Sequence, residues 1–341
     1  MNTLLIYGAT GYTGRMVATH ARAVGLDICL AGRDEARLSS LAAELGVPYR
    51  VIALDDDLAD AGASASPEGN ERLKQAISGF HTVLNCAGPF ARTAGPLMRA
   101  CMAAGAHYLD ITAEIRTYQH AESLGSLAAD AGVMLMPGVG WDVVPTDSLA
   151  MQVAQSVNVP VDLRIALKVA GGMSRGSAAS AGEIVAAGLL VRRDGELVSQ
   201  PDASTVRFDF GDGPVECFPL SFGDLVTAWH STGIRNISMF VHVTGDAFPT
   251  GDLASLPEGP TQAQRDADRA AAVVEVTGAD GVVSRAVIDT INGYSYTPLA
   301  AVAAARRVME GEWRPGFETP ARVFGAGFAE SIGDSTVTHL A

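Results

Sequence analysis

The chain has little lysine, few cysteines and no long apolar run. Lys74 and Lys168 are its only lysines, and 38 Asp plus Glu outnumber 24 Lys plus Arg, for a net charge of −14. A protein of that sign repels polyphosphate backbones, so nucleic acid is not the expected partner, although a local basic site for one small anion remains compatible. Cys29, Cys86, Cys101 and Cys217 show no C-x-x-C spacing, and the 7 histidines show no H-x-x-x-H. No metal and no disulfide framework are therefore expected, and the cysteines read as buried thiols. No uninterrupted apolar stretch reaches the roughly 18 residues of a membrane span, and no basic segment precedes the first strand, so a cytoplasmic chain without membrane contact is the expectation. Hydrophobic residues at 48% against 18% charged provide for a large core, and 341 residues suggest two domains.

What is present begins at the N terminus. Thr3 to Tyr7 is an apolar run that enters Gly8-Ala9-Thr10-Gly11-Tyr12-Thr13-Gly14, after which Met16, Val17, Ala21 and Val24 recur at helical spacing. Strand, tight turn and helix in that order form the phosphate-binding opening of a dinucleotide fold. The first glycine permits the turn, the second admits a pyrophosphate close to the backbone, and the third lets helix pack on strand. The spacing is G-x-x-G-x-x-G, which leaves the cofactor subtype open at this point.

A second strand, Asp27 to Ala31, ends in Gly32-Arg33-Asp34. A carboxylate at this place suits the ribose 2′-OH of NAD, whereas arginine suits a 2′-phosphate through charge-assisted hydrogen bonds. Arg33 thus points to NADP(H), and Asp34 reads as the N-cap of the helix EARLSSLAAEL. Further strands are expected at Tyr49 to Leu54, Thr82 to Asn85, His107 to Ile111 and Val133 to Met136, alternating with helices. That alternation implies right-handed crossovers and a parallel sheet. Ligands lie over the carboxyl ends of such strands, which places Asp55 near the adenine and Ala87, Gly88, Pro89 and Phe90 near the nicotinamide half.

From about Ala150 the pattern changes to strands such as LRIALKVAGG, RNISMFVHVTG, AAVVEVTG and VVSRAVID, with a helix over MSRGSAASAGEIVAAGLLV. A mostly antiparallel α+β domain for substrate binding or dimerisation is expected. Phe248 to Asp268, rich in Gly and Pro, reads as a loop or lid, and an Ala-rich helix from Pro298 to Glu310 returns to the nucleotide domain. The expected fold class is therefore α/β: a doubly wound parallel Rossmann sheet over residues 1–148, completed by 297–341, with an α+β domain over 149–296.

The segments GATGYTGRMVA, LAGRDEARLSSLA, NCAGPFARTAGPLMRACMAAGAHYLDITAE and PGVGWDVVPTD resemble the nucleotide domain of saccharopine dehydrogenase-like oxidoreductases, a group that includes trans-acting enoyl reductases. GGMSRGSAAS and GFETPARVFG carry the resemblance onward. It implies NADP held by Gly8, Thr10, Gly11, Tyr12, Thr13, Gly14 and Arg33, with Gly88, Pro89 and Phe90 beside the nicotinamide. The family's GFDSVPSD-like loop stands here as Gly140 to Asp147 with Trp141 for Phe and Val143 for Ser. Its D-x-x-G-E-like segment stands as Asp110 to Glu114 with Ala113 for Gly.

An NADPH-dependent reductase of a C=N or activated C=C bond in a small metabolite is the expected activity; enoyl reduction on a lipid or carrier-bound chain, or a non-catalytic NADP sensor, are the alternatives. The cofactor brings the hydride and the protein a proton. Asp110, Glu114, Asp142 and Tyr108 are the candidate donors, and the aspartates serve equally as caps or loop hydrogen-bonders. Trp141, Lys168 and Arg175 are candidate substrate contacts, Lys168 and Arg175 for a carboxylate. By analogy, the antiparallel sheet is the expected surface of a homodimer.

Overall fold

The computed structural model describes residues 3–54, 67–244 and 256–340. Its chain divides into two compact units. The first comprises Met1–Thr112, Arg116–Gly140 and Thr297–Glu318; the second comprises Ala113–Ile115, Trp141–Tyr296 and Thr319–Ala341.

In the first unit strands and helices alternate: β1 (Leu4–Tyr7), α1 (Tyr12–Ala23), β2 (Ile28–Gly32), α2 (Glu35–Leu45), β3 (Tyr49–Val51), α3 (Pro67–Ile77), β4 (Thr82–Asn85), α4 (Phe90–Ala104), β5 (His107–Asp110), α5 (Ile115–Ser123), α6 (Gly125–Asp130) and β6 (Met134–Met136). The strand order is β3-β2-β1-β4-β5-β6, and a short strand at Gly316–Phe317 adds itself beside β6. Every pairing is parallel. This is the doubly wound order with its reversal between β1 and β4, where such sheets bind ligands. Leu4, Leu5, Ile6, Leu30, Val83, Leu84 and Leu109 are fully buried, as near-continuous apolar strands covered on both faces must be.

The second unit holds α7 (Val144–Gln155), β7 (Pro160–Ala170), α8 (Arg175–Ala186), β8 (Leu190–Arg193), β9 (Glu196–Ser199), β10 (Val206–Asp209), β11 (Pro214–Pro219), α9 (Asp224–Thr232), β12 (Ile237–Thr244), α10 (Gln262–Ala267), β13 (Arg269–Gly278) and β14 (Val283–Ile291). Helix α11 (Gly293–Met309) and the short strand β15 (Gly316–Phe317) come next, and α12 (Pro320–Phe324) and β16 (Thr336–Leu340) end the described chain. The strand order is β10-β11-β12-β7-β13-β14-β16, with the β8–β9 hairpin attached to β12. All these pairings are antiparallel except β12 with β7. Strand β7 shows the period of two that sorts its residues between faces. Leu163, Ile165 and Leu167 are buried on the side that packs against α7, and Arg164, Ala166 and Lys168 alternate with them.

Several expected boundaries move. The third strand is shorter than Tyr49 to Leu54, two helices that part at Leu124 fill the stretch between the expected strands His107 to Ile111 and Val133 to Met136, and the helix after Ser174 stops at Ala186 so that Leu190–Arg193 pairs as a strand. The division falls at Gly140–Trp141 rather than at residue 148, because α7 packs under the second sheet. The terminal segment expected to complete the first unit over 297–341 does so only as far as Glu318; Thr336–Leu340 pairs with β14 and so belongs to the second unit. Of the expected lid at Phe248 to Asp268, residues 248–255 lie outside the described residues. The remainder contains α10, whose Thr261 and Gln264 form a reciprocal capping box. The expected buried thiols are Cys29, Cys101 and Cys217; Cys86 is only half-buried.

Candidate functional site

The loop from β1 to α1 is built around its glycines, and what a Cβ would meet at each one separates their roles. Gly8 sits at φ +79, and a Cβ there would lie 2.8 Å from the backbone nitrogen of Ala87. The loops that follow β1 and β4 therefore touch at this point. A Cβ on Gly14 would lie 2.2 Å from the Gly8 carbonyl oxygen, so only glycine lets α1 pack on the loop. A Cβ on Gly11 would meet nothing but that same oxygen, at 3.3 Å, and otherwise points into open space. Turn, packing and open approach are the three requirements of a pyrophosphate cradle. Gly11 is also the N-cap of α1, and no side chain caps the helix. The first-turn N–H groups and the positive end of the dipole are thus presented to a ligand instead of to a serine or aspartate. The residues present fit a dinucleotide.

At the end of β2, Asp34 caps α2 by accepting from the Arg37 backbone N–H at 3.0 Å, as expected. Arg33 is exposed and, among the described residues, makes no hydrogen bond or ion pair. Arg37, one helical turn later, donates from Nη2 to the Thr10 carbonyl at 2.9 Å and so ties α2 to the glycine loop. Sequence reasoning missed Arg37, which looks like a solvated helix residue; its signal was the four-residue step from Arg33. Asp55 lies outside the described residues.

Beyond β4, Asn85 organises the next loop. Its Oδ1 accepts from the Ala87 N–H at 3.0 Å, its Nδ2 donates to Thr93 Oγ1 at 3.0 Å, and Thr93 returns a hydrogen bond to the Ala87 carbonyl at 2.7 Å. Gly88 is exposed at the tip, Pro89 is half-buried and Phe90 is buried at the start of α4. Residues 87–90 thus stand at the carboxyl end of β4, next to the glycine loop.

Two of the expected proton donors are spent on structure. Tyr108 and Asp110 are fully buried, Tyr108 donates to Asp110 Oδ2 at 2.8 Å, and Asn85 Nδ2 lies 3.1 Å from the Tyr108 hydroxyl. Asp110 Oδ1 accepts from the N–H groups of Thr112 at 3.0 Å and Gly138 at 2.9 Å. Burial, with Asp110 adjacent, holds the Tyr108 hydroxyl far above its ordinary range. The pair anchors the loops after β5 and β6 and presents no free proton.

The other candidates lie in the second unit. Glu114 is buried and accepts from Ser180 Oγ at 2.6 Å. Trp141 is buried too, donates from its indole to Thr290 Oγ1 at 2.8 Å, and packs against Gly293. Lys168 pairs with Asp212 at 2.8 Å beside the Phe210 ring, and Arg175 donates to the Leu256 carbonyl at 3.2 Å. Asp142, by contrast, is half-buried, and desolvation pushes its carboxyl up to about 6. That makes it the candidate whose proton is most readily exchanged near neutral pH. Among the described residues no cluster of His, Cys, Asp and Glu could hold a metal ion, and no helix is long and apolar enough to cross a membrane.

Residues 4–136 match the family described as the saccharopine dehydrogenase NADP binding domain. A trans-acting enoyl reductase of Mycobacterium ulcerans (strain Agy99) is 33% identical over 147 residues, covering 42% of this chain and 33% of that protein. The trans-acting enoyl reductase of Mycobacterium tuberculosis (strain ATCC 25618 / H37Rv) is 33% identical over 150 residues with the same coverage. The match thus spans only about a third of the length of these curated relatives. Among solved structures, apo saccharopine dehydrogenase (L-Glu forming) from Saccharomyces cerevisiae is similar in fold over 100% of both chains, with a TM-score of 0.63 at 12% identity. The chain takes the fold of saccharopine dehydrogenase, and its residues 4–136 are similar to the NADP binding domain of that family.

Proposed function

We propose that the protein is an NADPH-dependent oxidoreductase that reduces a C=N or activated C=C bond in a small metabolite. The observation that carries this reading is the open Cβ direction of Gly11 at an uncapped helix N-terminus, one strand away from an exposed Arg33 that has no partner among the described residues. In this reading the backbone of Gly8, Thr10, Gly11, Tyr12, Thr13 and Gly14 receives the pyrophosphate. Arg33 takes the 2′-phosphate by a bidentate, charge-assisted contact, and Arg37 holds the loop through Thr10. Ala87, Gly88, Pro89 and Phe90 form the wall for the nicotinamide half, kept in place by Asn85 and Thr93.

Bound NADPH supplies the hydride; the protein's part is to orient the acceptor and deliver a proton. Asp142 is assigned the proton, since its carboxyl is held near 6 and the rival Asp110 is committed to backbone N–H groups. The similarity to trans-acting enoyl reductases favours, as the second reading, enoyl reduction on a lipid or carrier-bound chain.

Following NADPH oxidation with imine acceptors in one panel and 2-enoyl thioesters in another tests the proposal. Turnover of imines supports the first reading and turnover of thioesters alone the second. Tight NADPH binding with no oxidation in either panel overturns both in favour of a nucleotide sensor.

A further inference from the structure

Asp224 stands at the first position of α9 and is fully buried, as is Thr146 on α7. The Thr146 hydroxyl oxygen lies 2.9 Å from both carboxyl oxygens of Asp224, 3.0 Å from the Val143 carbonyl and 3.3 Å from the Asp142 carbonyl. Four acceptor atoms surround a hydroxyl that owns one hydrogen. If Asp224 were ionised, that hydrogen could satisfy one of them, and among the described residues the carboxylate would have as its one further donor Thr227 Oγ1, at 3.4 Å. The Val143 carbonyl already accepts from the Asp147 N–H at 2.8 Å, so the atoms short of a donor are the carboxyl oxygens, and that shortage closes when the carboxyl carries a proton of its own. Asp224 then donates to Thr146, and Thr146 donates on to Val143.

We propose that Asp224 is a carboxylic acid in the folded protein and that its proton locks Thr146 onto the turn Asp142-Val143. The proposal stands on the geometry of the second unit alone and does not depend on the redox reading. Asp224 thereby holds the start of α7 through Thr146.

The surroundings agree. Among the elements packed against α9, α7 brings Asp147 with Asp142 just before it, α12 brings Arg322, β12 brings His242, and β8 brings the buried Arg192, which is held by the Leu225 carbonyl at 2.7 Å and the Trp229 ring and makes no bond to Asp224 among the described residues. Asp147 and Asp142 both disfavour a second negative charge, Arg322 acts on Asp147, and the His242 ring is tied to the Glu216 carbonyl at 2.7 Å. On α9 itself, His230 lies in the last turn. Asp147 Oδ2 accepts from the Ala321 N–H at 2.9 Å, and Oδ1 has no hydrogen-bond partner among the described residues. The α9 dipole favours an anion at Asp224, but the amides of Leu225, Val226 and Thr227 are bonded to the carbonyls of Phe222 and Gly223 instead of to the carboxyl. Burial, then the neighbouring Asp147, raises the Asp224 carboxyl well above the ordinary carboxylate range.

The sign follows from linkage. A carboxyl raised in the fold keeps its proton where the unfolded chain has lost it, so its contribution to stability falls as pH rises from the unfolded value toward the folded one, by up to about tenfold in the folding constant per pH unit.

The test is urea denaturation from pH 5 to pH 9 of the wild type and Asp224→Asn, with carboxyl-carbon NMR of the wild type labelled at aspartate. Expected is one aspartate resonance at the protonated position at pH 7, and a variant whose midpoint falls less than the wild type's as pH rises. An aspartate spectrum wholly ionised at pH 7 overturns the proposal, even if the variant fails to fold. So does a variant with the wild-type pH slope, or a wild-type midpoint raised by sodium, potassium or magnesium chloride beyond what matched choline chloride does, which would put a cation in the proton's place.

Discussion

A Cβ on Gly14 would stand 2.2 Å from the carbonyl oxygen of Gly8, a separation no side chain can occupy without moving the loop or the helix. Gly14→Ala should therefore cost about 1–3 kcal/mol or more in stability, lowering the melting temperature by several degrees. Gly11→Ala places its Cβ 3.3 Å from that same oxygen, a far milder crowding, and should lower the melting temperature much less than Gly14→Ala while weakening dinucleotide binding at least tenfold. Thermal denaturation of the two variants, paired with NADPH titration, separates packing from approach.

Arg37 ties α2 to the glycine loop through the Thr10 carbonyl. Its removal in Arg37→Ala loosens a loop that both nicotinamide dinucleotides use. The expected outcome is weaker binding of NADPH and of NADH together, by roughly 1 kcal/mol, the worth of an ordinary hydrogen bond. Fluorescence titration of both cofactors checks it; a loss confined to NADPH would put Arg37 on the 2′-phosphate instead.

The alternation of strands and helices and the roles of the three glycines were legible because both are local: period, turn chemistry and helix ends are written in adjacent residues. The position of Arg33 was legible for the same reason, as the residue that follows β2. What was not legible depends on partners far along the chain. Tyr108 and Asp110 stand on a strand end, where catalysis and anchoring look alike in sequence, and only the N–H groups of Thr112 and Gly138 decide between them. Thr336–Leu340 reads as an ordinary terminus until its pairing with β14 is seen. Asp224 looks like a helix-opening aspartate, and its proton follows from Thr146, which lies 78 residues away.

His107 supplies a stability prediction with a definite sign. Its Nδ1 accepts from the Met134 N–H at 3.1 Å, with the ring of Trp313 at 4.2 Å and that of His81 at 5.0 Å. Burial, then the charge of His81, lowers its pKa from 6.5 to about 4. Between those values the unfolded chain binds a proton that the fold refuses, so stability should fall as pH drops from 6.5 toward 4, by on the order of 2 kcal/mol. Chemical denaturation at pH 7, 5.5 and 4.5 should show a shallower decline for His107→Gln than for the wild type.

Asp142 can act as an acid only while protonated, and its carboxyl is held at about 6. Turnover should therefore fall as pH rises past that value, and Asp142→Asn should lower kcat by about 10²–10⁴-fold, the usual worth of a positioned general acid, while leaving NADPH affinity unchanged. Steady-state kinetics across pH 5–9, on whichever acceptor the imine and enoyl panels identify, provide the check; an unaltered profile in the variant would remove Asp142 from the reaction.

The central claim is that the glycine loop and Arg33 form an NADP site. Calorimetric titration of NADPH and NADH into the wild type and Arg33→Ala tests it most directly. The account predicts that the wild type prefers NADPH and that the variant loses about 1.5–3 kcal/mol for NADPH while keeping its affinity for NADH. Equal affinity of the wild type for the two cofactors, or an equal loss of both in the variant, would contradict it.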